Sequence, residues 1–391
     1  MYCVKELSEK LYYIGVNDRR TELFENMLPI SRGVSYNSYI LKDEKTVLFD
    51  TVDSSAFTQF SQNIEKVLDG RKLDYIIVNH MEPDHAASLK DILAKYPEAQ
   101  IVGNAKTFAM IKQFFNCPIN EHAVKEGDVL ETGEHKLTFV MAPMVHWPEV
   151  MVTYDMTSKT LFSADAFGTF GALDGRIFAD EYNFEAEFLD DARRYFTNIV
   201  GKYGAQAAAA LTKASKLEIN MVCPLHGPVF RDELITYFLE KQMTWSKYTP
   251  EEPDTIFLAY ASMYGNTESV VNAVAMQLSE LGKKLKVINI CNTDKSFLVA
   301  EAFKCGKLII ATPTYNGGIY PTMETFLLDL KALNLQSRDV HIIENGSWAP
   351  TASKKVAEII GSMKGMNVVS TLSMKSALHD EEKFNEFIKT F

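Results

Sequence analysis

Two hydrophobic rhythms run along the chain, and the order in which they mix changes once. In the first part, short apolar runs bounded by Gly, Asn and Asp turns predict strands over 36–41, 46–50, 75–78, 101–103, 137–142, 151–154 and 160–163. Apolar residues three and four positions apart predict helices over 57–68, 86–96 and 188–202. This mixture is the pattern of an α/β sandwich. Further on, strand and helix alternate strictly: strands over 256–261, 286–290, 307–312 and 340–344, helices over 268–281, 323–330 and 354–364, and a closing helix from Asp380. Strict alternation predicts a doubly wound parallel sheet. The polar segment MTWSKYTPEEPD at 243–254, with Pro250 and Pro253, interrupts both patterns and sets a boundary between a domain over 1–250 and one over 251–391. No repeat or low-complexity tract disturbs either half.

Length agrees with two domains, since 391 residues exceed the roughly 250–300 at which a single core stops growing. A formal charge of -11 without any Lys/Arg block argues against nucleic acid as a partner. No apolar run approaches the roughly 18–20 residues of a membrane span, and MYCVKELSEK lacks the order of a signal peptide, so a cytoplasmic protein is expected. Cys3, Cys117, Cys223, Cys291 and Cys305 are scattered and never form CxxC, which fits reduced thiols. It also leaves no paired thiolates for an iron–sulfur or rubredoxin-type site.

Candidate chemistry begins where the 75–78 strand ends. His80, Glu82, Asp84 and His85 occupy six positions of a strand-to-helix loop in HMEPDH. In extended backbone alternate side chains share a face, so His80, Glu82 and Asp84 can point together while His85 turns onto the helix start. His146 in MVHWPE, Asp165 in SADAFG and His226 in CPLHGP each follow a strand end. Taken singly, each has a plain alternative as a helix cap, a turn residue or a core imidazole. Together they describe one pocket formed by loops at a sheet edge.

This spacing resembles the metallo-β-lactamase signature HxHxDH followed by a distant His, Asp and His, with Glu82 in place of the second His. The resulting mixture of imidazoles and carboxylates suits two iron ions better than a His-rich zinc site. His80, Glu82, His146 and Asp165 are expected around one iron. Asp84, His85, Asp165 and His226 are expected around the other, with Asp165 bridging and His85 the weakest member. Trp147, Phe167 and Phe170 are expected as pocket walls. Tyr195 has two readings, core packing or a hydrogen-bond donor to bound gas, and packing is preferred. His122, His135, His341 and His379 are expected at the surface or in loops.

The second constellation follows the 256–261 strand. Ser262, Met263, Tyr264, Gly265, Asn266 and Thr267 lead directly into a helix, where hydroxyls, amide N–H groups and the helix dipole favour a phosphate. The loop is neither Walker A nor GxGxxG, and it resembles the flavodoxin loop with Tyr264 in place of the usual Thr. Pro313, Thr314, Tyr315, Asn316 and Gly317 follow the next strand, and Asn345, Gly346, Ser347 and Trp348 the one after it. All lie where a doubly wound sheet binds ligand, and FMN is the ligand expected there.

Both halves in this order resemble the flavodiiron, or A-type, flavoproteins over nearly the whole chain. The resemblance rests on HMEPDH, HWP, SADAFGTFGAL, CPLHGP, SMYGNT, PTYNGG and NGSWAP. It implies an N-terminal metallo-β-lactamase-like αββα sandwich holding two Fe ions and a C-terminal flavodoxin-like domain holding FMN. It also implies reduction of dioxygen to water, nitric oxide to nitrous oxide, or both, in a head-to-tail homodimer or tetramer. Because the sequence stops soon after the flavodoxin-like helix, electrons are expected from a separate donor: a rubredoxin, reduced coenzyme F420 or another reductase. A binuclear zinc hydrolase with an appended flavodoxin domain is the alternative, and Glu82 argues against it.

Overall fold

A computed structural model describes residues 1–391. The chain divides into two compact units: Met1–Phe196 with Ala205–Met243, and Thr197–Gly204 with Thr244–Phe391.

The first unit holds two sheets. One has seven strands in the spatial order Lys5–Ser8, Leu11–Tyr13, Tyr39–Lys42, Thr46–Phe49, Tyr75–Ile77, Gln100–Gly103 and Asn120–Ala123. The other has six: Val129–Glu131, Lys136–Met141, Met151–Asp155, Thr160–Phe162, Met221–Cys223 and Phe230–Arg231. Their inner faces meet in the core, where the Phe49 and Phe162 rings stack at 3.6 Å and the Tyr39 hydroxyl crosses to the Pro224 carbonyl at 2.6 Å. Helix Phe57–Leu68 covers the first sheet because Phe60, Ile64, Val67 and Leu68 fall on one stripe. Parallel pairing at Thr46–Phe49, Tyr75–Ile77 and Gln100–Gly103 aligns the carboxyl ends of these strands, so the loop after Ile77 emerges at a sheet edge. Strand Thr160–Phe162 pairs parallel with Met221–Cys223, which places the Asp165 and His226 loops side by side.

The predicted 188–202 helix is broken. It runs as α-helix over Leu189–Tyr195, as a π turn over Phe196–Val200 and as a 3₁₀ turn over Gly201–Tyr203. Gly201 and Gly204 weaken the propensity for a continuous helix here. The predicted 86–96 helix is also two pieces, Pro83–Ala86 and Leu89–Lys95.

The second unit is a five-stranded, all-parallel sheet in the order Lys284–Asn289, Glu252–Tyr260, Cys305–Tyr315, Asp339–Asn345 and Asn367–Met374. The order reverses beside Glu252–Tyr260, the first strand in sequence. A crevice forms outside the carboxyl ends of the strands at such a switch point. Separate apolar clusters fill the two sides of the sheet, one around Phe257, Phe326 and Val356, the other around Leu258, Val271 and Phe387.

Candidate metal centre and flavin cleft

The seven predicted ligands converge in the first unit. His80 and Glu82 sit on the loop after Tyr75–Ile77, and Asp84 and His85 on the short helix Pro83–Ala86, which has Pro at its first turn. His146 lies between strands Lys136–Met141 and Met151–Asp155; Asp165 follows Thr160–Phe162 and His226 follows Met221–Cys223. Ligand-type atoms of His80, Glu82, His146 and Asp165 all lie within 4.8 Å of one another, and so do those of Asp84, His85 and His226.

Asp165 faces both groups with different oxygens. Its Oδ2 lies 3.1 Å from His146 Nε2 and 3.4 Å from His80 Nε2, while its Oδ1 lies 3.1 Å from His85 Nε2 and 3.7 Å from His226 Nε2. Glu82 Oε2 stands 2.9 Å from His146 Nε2 and 3.2 Å from His80 Nε2. Asp84 Oδ2 is 3.2 Å from His226 Nε2 and 3.4 Å from His85 Nε2. Five separate segments therefore aim one imidazole or carboxylate each, or two, at a common point.

The donor set fits two divalent cations. Both oxygens of Asp84 and Oδ1 of Asp165 are buried and accept no hydrogen bond. The Nε2 atoms of His85 and His226 confront each other at 3.0 Å. Buried carboxylates left unsatisfied are costly, and a cation between them removes that cost. The electrostatics agree. Burial disfavours the charged imidazole of His146, yet Asp165 and Glu82 outweigh it and raise its pKa to about 9. Burial likewise opposes ionisation of Asp165, but His85, His146 and His80 hold it well below the carboxylate range. Glu25 at the mouth is raised to about 7 by burial and by the facing Glu82 carboxyl. Carboxylate charge gathered here calls for a compensating cation.

Outer contacts orient the rings. Glu149 Oε1 lies 2.8 Å from His80 Nδ1 and also accepts the Met81 N–H at 2.8 Å. The Ser35 carbonyl holds His226 Nδ1 at 2.7 Å. Asp50 accepts the backbone N–H groups of Asn79 and His80 at 2.7 and 3.1 Å. The first two leave the Nε2 of His80 and of His226 turned inward, as ligation through that atom requires, and Asp50 fixes the backbone that carries His80. None of the three was singled out in the sequence.

The walls differ from expectation in part. Trp147 packs edge-on to His80 at 5.5 Å, and Phe170 packs on Phe24 and Tyr195 at 5.4 and 5.2 Å. Phe167 turns away and packs on Phe238 and Phe230 in the core, so it is no wall. Phe24, absent from the sequence reading, lies 5.4 Å from His226. The buried Tyr195 ring packs 5.6 Å from His226, and its hydroxyl has no partner. His135 lies in a loop as expected but is buried at 8% exposure, and His341 is neither at the surface nor in a loop: it sits in strand Asp339–Asn345 at 1% exposure. Each found a polar partner that a lone His cannot announce, Asp155 at 2.6 Å and Ser370 at 2.7 Å.

In the second unit, a cleft of about 390 Å³ opens at the carboxyl ends of the strands. Every predicted flavin residue lines it except Gly265, which caps helix Asn266–Glu280 with φ +89°, a conformation glycine adopts without strain. Ser262 Oγ accepts the N–H groups of Gly265 and Glu268 at 3.1 and 3.3 Å, shaping the phosphate loop. Thr314 Oγ1 accepts those of Thr351 and Ala352, tying the second loop to the third. Tyr264 and Trp348 stand 90% and 87% exposed beside a cleft that would cover them if it held a flat ring. The lining carries hydroxyl and amide groups for phosphate and ring edges, so the fit to FMN is good.

Fold and sites define a lactamase-like dinuclear metal domain followed in sequence by a flavodoxin-like domain. The family model described as ODP family beta lactamase matches residues 34–227, and the flavodoxin model matches residues 258–387. The chain is 32% identical over 332 residues to the anaerobic nitric oxide reductase flavorubredoxin of Klebsiella pneumoniae, covering 83% of this chain and 68% of that one. Among solved structures, the flavodiiron protein from Giardia intestinalis superposes with a TM-score of 0.92 at 25% identity, over 99% of this chain and 94% of that one. The rubredoxin oxygen:oxidoreductase of Desulfovibrio gigas does so with a TM-score of 0.92 at 25% identity, over 99% and 96%. The chain belongs to the flavodiiron proteins, the A-type flavoproteins. The zinc-hydrolase alternative is not favoured by these relatives.

Proposed function

We propose that this chain reduces dioxygen to water, nitric oxide to nitrous oxide, or both, at a non-haem diiron centre, with electrons passing through FMN. The observation that carries this reading is Asp165, one carboxylate presenting an oxygen to each of two ligand groups. His80, Glu82 and His146 complete one iron, and Asp84, His85 and His226 the other. When bound, two irons and one flavin together store the four electrons that dioxygen needs, and two suffice for a pair of nitric oxide molecules.

The chain's own side chains position the reactants. Glu149 and the Ser35 carbonyl hold the His80 and His226 rings in the ligating orientation. Phe24 and Trp147 set apolar surface beside His226 and His80, with Phe170 packed behind Phe24, which suits small uncharged gases. The unpartnered Tyr195 hydroxyl is free to donate a hydrogen bond to bound gas. In the second unit, residues 262–267 would hold the FMN phosphate, and Tyr315 and Trp348, which line the same cleft, would pack against its ring.

Electrons come from a separate donor such as a rubredoxin, reduced coenzyme F420 or another reductase, because this sequence holds no paired cysteines for an iron site of its own. A head-to-tail homodimer, alone or doubled into a tetramer, sets one chain's flavin against its partner's irons. A reducing cytoplasm suits the five unpaired thiols. No helix is long and apolar enough to cross a membrane. Metal analysis with anaerobic stopped-flow tests the proposal. Two irons and one FMN per chain, with reduced protein reoxidised by either gas, is the expected result; two zincs, or no reoxidation by either gas, would overturn it.

A further inference from the structure

A fourth loop joins the three expected around the flavin cleft. Strand Asn367–Met374 ends at the cleft, and Ser376, two residues beyond it, lines the same wall as the 262–267, 313–317 and 345–348 loops. Ser376 adopts a left-handed φ of 63°, a strained region for a residue with a Cβ, so its surroundings must fix it there. Two bonds do so. Asn345 Nδ2 donates to the Ser376 carbonyl at 2.9 Å, and the Gly346 N–H donates to the Met374 carbonyl at 3.1 Å.

The same amide locates Ser376 along the cleft. Asn345 Nδ2 also stands 3.5 Å from Thr267 Oγ1, in the first turn of helix Asn266–Glu280. A single nitrogen therefore reaches both the fourth loop and the phosphate loop, which sets Ser376 beside the place expected for the phosphate. Asn345, expected as a flavin contact, thus has its nitrogen engaged by protein oxygens. No Lys, Arg or His lines the cleft, so a phosphate there depends on N–H and hydroxyl donors alone. Each such donor then counts.

We propose that Ser376 is a specificity residue of the flavin site, its hydroxyl donating to the phosphate of FMN, and that Asn345 is the residue that positions it. The inference rests on FMN as the cofactor of this cleft. A hydrogen bond to a charged oxygen is stronger than one between neutral groups, so this contact favours a phosphorylated flavin over riboflavin, which lacks the phosphate. Contacts to the ring and the ribityl chain are common to both flavins and do not discriminate between them.

The test is titration of the full chain, stripped of flavin, with FMN and with riboflavin, each followed by quenching of flavin fluorescence. Ser376→Gly removes the hydroxyl and keeps the left-handed turn, which glycine adopts without strain. It should bind FMN about tenfold more weakly, and riboflavin within about twofold of the unsubstituted protein. Asn345→Ala releases the Ser376 carbonyl and should also lower the preference for FMN over riboflavin. Placed in the Ser376→Gly background it should lower that preference no further, because it acts through Ser376. Ser373→Ala, which removes an exposed hydroxyl of the same strand outside the cleft, should match the unsubstituted protein. Unchanged FMN affinity in Ser376→Gly would overturn the assignment, and so would equal weakening toward both flavins, the mark of a loop with a structural role only. A loss of preference in Asn345→Ala that persists in full without the Ser376 hydroxyl would overturn the positioning role. Failure of the unsubstituted protein to bind either flavin would instead sink the FMN reading.

Discussion

Glu149 is not one of the expected ligands, yet it touches the His80 ring and decides how His80 presents itself. Its carboxylate is buried and takes a proton contact from the His80 ring and one from the Met81 backbone. Replacing it with Ala frees the ring to rotate and leaves the Met81 N–H without its acceptor. Loss of such an outer partner typically weakens metal binding about 10- to 100-fold. Glu149→Ala should therefore lose iron to a chelator far faster than the unsubstituted protein, measured as iron retained against time, with FMN content unchanged. The ligands themselves were legible in the sequence because HMEPDH packs them at strand-end spacing. Glu149 had a faint signal, three residues after His146. The Ser35 carbonyl had none, since a backbone acceptor 191 positions from its imidazole leaves no trace in side-chain pattern. The same limit explains His135 and His341, whose partners come from tertiary closure.

At the scale of elements, helix Phe57–Leu68 stands where its apolar stripe predicts, and most strands of the second unit run one or more residues past their apolar cores. Strand Asn367–Met374 was not predicted. It is an edge strand with mostly exposed or half-buried residues, so it lacks the continuous apolar run that marks the central strands. Its neighbour carries a titrating group. His341 lies in strand Asp339–Asn345 against Ser370, Thr390 and the stacked Phe391 ring, and burial, with Lys307 adding and Asp339 opposing, lowers its pKa to about 4. The folded state thus prefers the neutral ring. Its contribution is fully present above the unfolded value near 6.5, and is lost as pH falls toward about 4. Unfolding of the second unit should lose on the order of 2 kcal/mol more between pH 7 and 4.5 than in His341→Gln, after allowing for residual solvent screening. Urea titrations across that range, comparing the two proteins, measure the difference. A loop prediction belongs here too. A Cβ on Gly346 would meet Pro350 backbone atoms at 2.7 and 2.8 Å, so Gly346→Ala must reshape the Asn345–Pro350 turn. FMN should then bind about tenfold more weakly in fluorescence titration, with the unit still folded.

For the whole molecule, the decisive property is that each cofactor site is assembled within one unit. All seven metal-ligand candidates lie in the first unit, and every residue lining the 390 Å³ cleft lies in the second. Each unit also closes a core of its own, seen in the Phe49–Phe162 stack of one and the clusters around Phe257 and Leu258 in the other. A ligand that binds only the folded form stabilises the unit that binds it by mass action. Removing iron should therefore lower the unfolding temperature of the first unit and leave that of the second in place, and removing FMN should do the reverse. Asp165→Ala sharpens the test, because it deletes the carboxylate that faces both ligand groups. That protein should be yellow, with one FMN per chain and a flavin still reduced by dithionite, while holding little iron and consuming neither gas. Differential scanning calorimetry, iron and flavin analysis on one preparation, and gas-electrode traces measure all three. Loss of FMN along with the iron would mean that the two sites are coupled in folding, which a pair of self-contained cores does not allow.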